Sequence, residues 1–151
     1  MAKRILISLV IIFLISSIAL AESGLVTVHS NFSVRETGNR LVSLLEEKGM
    51  RIVARINHAA GAASVDMTLS PTELLIFGNP KVGTPLMQCE QTVAIDLPQK
   101  MLIWEDASGA VWLTYNDPNY LADRHNIQGC EENIRNVAGA LANFAKAATS
   151  E

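Results

Sequence analysis

The chain has no basic run and no arginine or lysine stripe, and its 12 Lys and Arg face 15 Asp and Glu, a formal net charge of −3. A nucleic-acid partner needs clustered cations to displace phosphate counterions, so nucleic acid is excluded as a main partner. No GxSxG elbow is present, and no two carboxylates stand at a spacing that argues acid–base work. HxxxH, CxxC, CxxCH and methionine-rich runs are also missing, which removes the common signatures of metal and haem sites. Nor is there a phosphate loop, because Lys does not follow Gly83. Internal repeats, low-complexity tracts and Pro/Gly-rich linkers are absent, so nothing divides the chain into two domains.

What is present begins with a secretory leader pattern. Lys3 and Arg4 supply a positive start, Ile5 to Ile15 is almost unbroken apolar, and Ala19-Leu20-Ala21 is the small-x-small wording a signal peptidase reads. Cleavage after Ala21 is the expectation, making residues 1–21 a signal peptide and 22–151 one domain that is periplasmic or secreted. The rival reading is an uncleaved anchor, against which stand the short run and the Ser16-Ser17 interruption. Contact with a membrane is expected only through this leader. Without Lys3 and Arg4 the remainder holds 10 basic and 15 acidic residues, a net charge of −5.

Cys89 and Cys130 are the two cysteines. In an oxidising compartment two thiols in one small domain usually pair, closing a loop long enough to matter for stability. The competing use of Cys89 is a thiolate ligand or nucleophile.

The element pattern is α+β. Leu25 to His29 reads as a strand with β-branched Val26, Thr27 and Val28. Ser33 to Glu36 is a capping box, with Val34, Thr37, Leu41, Leu44 and Leu45 behind it at helical spacing and Gly49 where a helix end favours positive φ. A strand Arg51 to Ile56 follows, then His58 to Ala63, a short helical turn expected to pack tightly through its small side chains. Glu73 to Phe77 is a buried strand. Thr84-Pro85 reads as the start of a second short helix lasting to about Ala94. Lys100 to Glu105 and Val111 to Tyr115 form a hairpin about Asp106-Ala107-Ser108-Gly109, in which Trp104 and Trp112 pair across the strands. Asp117-Pro118 starts a short helix to Arg124. Glu131 to Ala147 closes the chain as a helix with Ile134, Val137, Ala138, Leu141, Phe144 and Ala145 on one face. Strands joined by tight turns favour an antiparallel sheet with the two long helices on one face.

The order and wording of Phe77-Gly78-Asn79-Pro80, Gly83-Thr84-Pro85-Leu86-Met87, Asp96-Leu97-Pro98 and Tyr115-Asn116-Asp117-Pro118 resemble the domain of unknown function 302 family. The resemblance covers roughly residues 32–125 and implies a TATA-binding-protein-like arrangement, β-α-β(4)-α, with homodimers formed through the sheet or its edge. Many members of that family lack leaders and cysteines, so the resemblance makes Cys89 and Cys130 an adaptation to export.

Two places could hold a ligand. In the Gly78-Asn79-Pro80-Lys81-Val82-Gly83-Thr84 segment, Gly78, Asn79, Gly83 and Thr84 lie between a strand end and a helix start, where free backbone amides would suit a carboxylate, a phosphate or a carbonyl. The competing reading is that Gly and Asn only permit a tight connection. His58 lies just past a strand, and the resembling family tends to show His there; a histidine at that place could donate to a ligand, titrate or bind metal, or simply cap the next turn. His29, His58, Met87, Cys89 and His125 are a soft-ligand set suited to copper or haem iron, but Met87 and Cys89 fall on roughly opposite sides of a helix. The expectation is therefore a non-catalytic binding or interaction module with no cofactor, holding a small ligand or its own twin. The alternative is a metal- or haem-linked redox protein or enzyme using His58 and Cys89.

Overall fold

The computed structural model describes residues 24–151, and the expected leader lies outside the described residues. Five strands, β1 (Leu25–Ser30), β2 (Arg51–Asn57), β3 (Thr72–Gly78), β4 (Gln99–Glu105) and β5 (Val111–Asn116), form one sheet in the order β1-β5-β4-β3-β2. Every neighbouring pair is antiparallel. The helices are α1 (Val34–Glu47), α2 (His58–Ala63), α3 (Pro80–Cys89), α4 (Pro118–Arg124) and α5 (Glu131–Thr149), with a 3₁₀ helix at Gln91–Ile95. This is the β-α-β(4)-α order that the sequence pattern and the family resemblance anticipate.

Burial alternates along the central strands, as the two-residue period of a strand with one covered face requires. Leu75 and Phe77 of β3, Met101 and Ile103 of β4 and Leu113 of β5 are sealed from solvent. They meet Leu41 and Leu45 of α1 and Val137, Leu141 and Phe144 of α5 in one core cluster. Burying each such side chain contributes about 1.5–3 kcal/mol. The Ser33 hydroxyl accepts from the Glu36 amide, starting α1, and Gly49 takes φ +70° just past its end. Arg40 of α1 donates to the carbonyls of Ala147, Ala148 and Ser150, so the last carbonyls of α5 are satisfied from its neighbour helix. Gly38 leaves room for Arg55: a Cβ there would stand 2.7 Å from Nη2 of the guanidinium that pairs with Glu73 and donates to Asn39.

Two expectations change. The segment His58–Ala63 is helical, capped by the Asn57 side chain, but none of its residues is buried. It follows the edge strand β2, where the sheet offers little to pack against. The second short helix starts at Pro80, not at Thr84-Pro85, and ends at Cys89. Asn79 is its cap, its Oδ1 accepting from the Lys81 amide, and Pro80 fills the first turn, where a missing N–H costs nothing. Pro85 lies inside the helix, and the residues from Gln91 to Ile95 coil separately.

Candidate functional site

On the helix-covered side of the sheet, where β3 runs into α3, the chain leaves a cleft of about 600 Å³ between α3 and α5. Its α5 wall is Asn133, Asn136, Val137, Ala140, Leu141 and Phe144, a stripe at the i, i+3, i+4, i+7 spacing of one helix face. The stripe is polar toward its N-terminal end and apolar beyond. Opposite it, α3 contributes Lys81, Gly83, Thr84, Leu86 and Met87, while Phe77 and Leu97 line the interior. The α3 side stays thin because Gly83 has no side chain; a Cβ there would stand 3.7 Å from Leu97 Cδ1.

A disulfide joins the two walls. Cys89 is the last residue of α3 and Cys130 the residue before α5, and their Cα atoms are 6.4 Å apart. The bond expected from composition and compartment thus fixes the spacing of the helices that bound the cleft.

Of the candidate residues, Gly78, Asn79, Gly83 and Thr84 all line this cleft. They do so in a different way from the expected amide cradle. Lys81 N is taken by the Asn79 side chain, and the Val82 and Gly83 amides by the Asn79 carbonyl, so the segment is the first turn of a helix and its early amides are satisfied. Neither Gly78 nor Gly83 has positive φ among the described residues. Asn79 also donates from Nδ2 to the Gly49 carbonyl, tying the start of α3 to the end of α1.

His58 does not belong to this constellation. It is exposed at the start of α2, whereas Arg51, which lines the cleft, begins β2. The seven residues of that strand put roughly 20 Å between them.

The soft-ligand set is dispersed as well. His29 meets the Trp112 ring edge-on, Cys89 is spent in the disulfide, and His125 uses both ring nitrogens inside the protein. Among the described residues no three His, Cys, Asp or Glu side chains converge to hold a metal ion.

One polar network had no sequence signal. His125 Nε2 lies 2.6 Å from Oδ2 of Asp96, and Nδ1 lies 3.1 Å from the Thr92 hydroxyl, which donates to Glu90. The Thr92 amide, then its hydroxyl and more weakly His125, hold the Glu90 carboxyl below its ordinary range. Asp96 also meets Arg124 at 3.6 Å. The network pins the 3₁₀ segment to the end of α4, just behind the stretch that carries Ala94 and Leu97 into the cleft.

The family model for the domain of unknown function DUF302 matches residues 26–144. The chain belongs to the DUF302 family. A crystal structure of the uncharacterized conserved protein DUF302 from Bacillus stearothermophilus superposes with a TM-score of 0.76 at 18% identity, covering 85% of this chain and all of that one, so it shares the fold. Proteins named fluoride-specific ion channel are 50% identical over 109 residues: FluC 1 of Brucella suis, and FluC 1 of Brucella abortus. The match takes in 72% of this chain but 43% and 40% of those two, so the chain spans about two-fifths of the length of these relatives. Among the described residues of this DUF302 chain no helix is long and apolar enough to cross a membrane.

Proposed function

We propose that this DUF302 chain is an exported, non-catalytic binding module that holds a small ligand in the cleft between α3 and α5. The observation that carries the reading is the cleft itself. Its volume of about 600 Å³ falls in the range of small-molecule sites, and its apolar walls with a few polar side chains have the composition of such sites. Export is supported by the leader pattern of residues 1–21 and by a disulfide of the kind that persists in oxidising compartments. The channel activity named for the Brucella relatives is not carried over, because the shared stretch is the smaller part of those proteins. Native mass spectrometry of the oxidised chain purified from its own compartment is the test. An added mass that survives desalting, and disappears when Ala140→Trp fills the cleft, supports the reading; a bare chain whose Ala140→Trp variant behaves identically counts against it.

A second reading, self-association, is favoured by the other face of the sheet. Leu74, Ile76, Leu102, Trp104 and Trp112 alternate with the core positions and are only partly buried, and Ile56 on the edge strand is 38% exposed. A second copy is the partner such a row would fit. Light scattering should report a dimer for the parent chain and a monomer for Leu102→Glu; a monomeric parent chain at high concentration removes this reading.

A further inference from the structure

We infer that the ligand of this cleft is a small anionic amphiphile, a molecule with one carboxylate-like head and an apolar body. The inference rests on the binding reading above and adds the chemistry of the occupant. Among the lining residues Arg51 and Lys81 are cationic, and none is Asp or Glu. That is a local reversal in a chain whose formal net charge is −3. Several acidic groups are engaged elsewhere: Glu73 with Arg55, Asp96 with His125 and Arg124, and Glu47 with Lys48. Neither the Arg51 nor the Lys81 side chain has a hydrogen-bond or ion-pair partner among the described residues.

The two cations also lie at the same end of the sheet, on the rim of the cleft. Arg51 stands opposite Gly78 in the β2–β3 register, and Lys81 follows Gly78 by three residues at the start of α3. A guanidinium and an ammonium that share one end of a cleft, with no carboxylate between them, will favour an anion there and disfavour a cation. The body of the ligand then lies along Val82, Met87, Leu97 and Ala140, lining side chains that the fold leaves partly open and that gain from excluding water. At the N-terminal end of the α5 stripe, Asn133 and Asn136 have no side-chain partner among the described residues and offer amides to a second, neutral polar group.

The test compares three eight-carbon probes of one shape and different charge: octanoate, octan-1-ol and octylammonium, each titrated into the oxidised chain and followed by the amide spectrum. Octanoate should bind about two- to fivefold more tightly than octan-1-ol, with octylammonium weakest, the ratio one solvent-accessible ion-pair site supplies. Arg51→Gln with Lys81→Gln should erase that preference, bringing octanoate down to the affinity of octan-1-ol in the same variant. Equal affinity for all three probes at the cleft overturns the anionic assignment and leaves the binding reading standing. If no probe perturbs the cleft residues at any charge, both fail together.

Discussion

Cys89 and Cys130, 41 positions apart, connect the end of α3 to the start of α5. The bond crosses between the helices that bound the cleft, so it constrains the unfolded chain and the width of the site together. Replacing both cysteines with serine should lower stability by about 4 kcal/mol on loop-closure entropy, and should weaken any cleft ligand. Denaturant unfolding of the oxidised, reduced and double-serine chains measures the first effect. An unchanged midpoint on reduction contradicts it.

The glycines of the cleft wall differ in what they tolerate. Gly83 is helical and a Cβ there would make ordinary van der Waals contact with Leu97, so Gly83→Ala should stabilise the chain by about 0.5–1 kcal/mol while placing a methyl at the cleft surface. Gly78 is tighter: a Cβ would stand 3.3 Å from the Pro98 Cβ, and Gly78→Ala should cost roughly 1 kcal/mol. Thermal melts of the two variants should shift in opposite directions. A loss of stability in Gly83→Ala would mean that α3 does not begin where Asn79 caps it.

This contrast marks how much the sequence disclosed. Where a local signal is unopposed, it reads through to structure: Ser33 caps α1, Gly109 turns the hairpin with φ +83°, and Asp117 starts α4. At α3 two cap-plus-proline signals compete, Asn79-Pro80 and Thr84-Pro85, and local chemistry alone does not rank them. Packing decides, because Leu86 must be buried while Asn79 reaches back to Gly49. Of the residues expected to hold a ligand, Gly78, Asn79, Gly83 and Thr84 line a cleft and His58 does not; the cleft is a gap between two helices, and no spacing along the chain encodes a gap. The Asp96–His125 contact spans 29 positions and was equally invisible.

That contact should be structural. His125→Ala removes the hydrogen bonds to Asp96 and Thr92 and leaves a largely buried carboxylate facing Arg124 alone, a loss of about 1–3 kcal/mol. Urea unfolding should show the drop without loss of the folded spectrum. A midpoint equal to that of the parent chain would show that the 3₁₀ segment is held by other contacts.

The hairpin carries the strongest acid signature. Hydrogen bonds from the Ser108 hydroxyl, the Trp112 indole and the Ser108 and Ala110 amides hold the Asp106 carboxyl at about 2, below its ordinary 3.8. Because the folded value is depressed, its contribution is present above pH 3.8 and is lost as pH falls towards 2. The Trp112 indole N–H resonance should titrate with a midpoint near 2; a midpoint near 4 contradicts the network.

The most direct measurement is the amide spectrum of the oxidised chain titrated with octanoate, mapped residue by residue. Binding in the cleft shifts Gly78, Gly83, Asn133, Asn136 and Val137 together, with one affinity, and leaves His58 and the Trp104–Trp112 face unchanged. Shifts confined to Leu102, Trp104 and Trp112, or to His58, would place the binding surface elsewhere and contradict the cleft as the functional site.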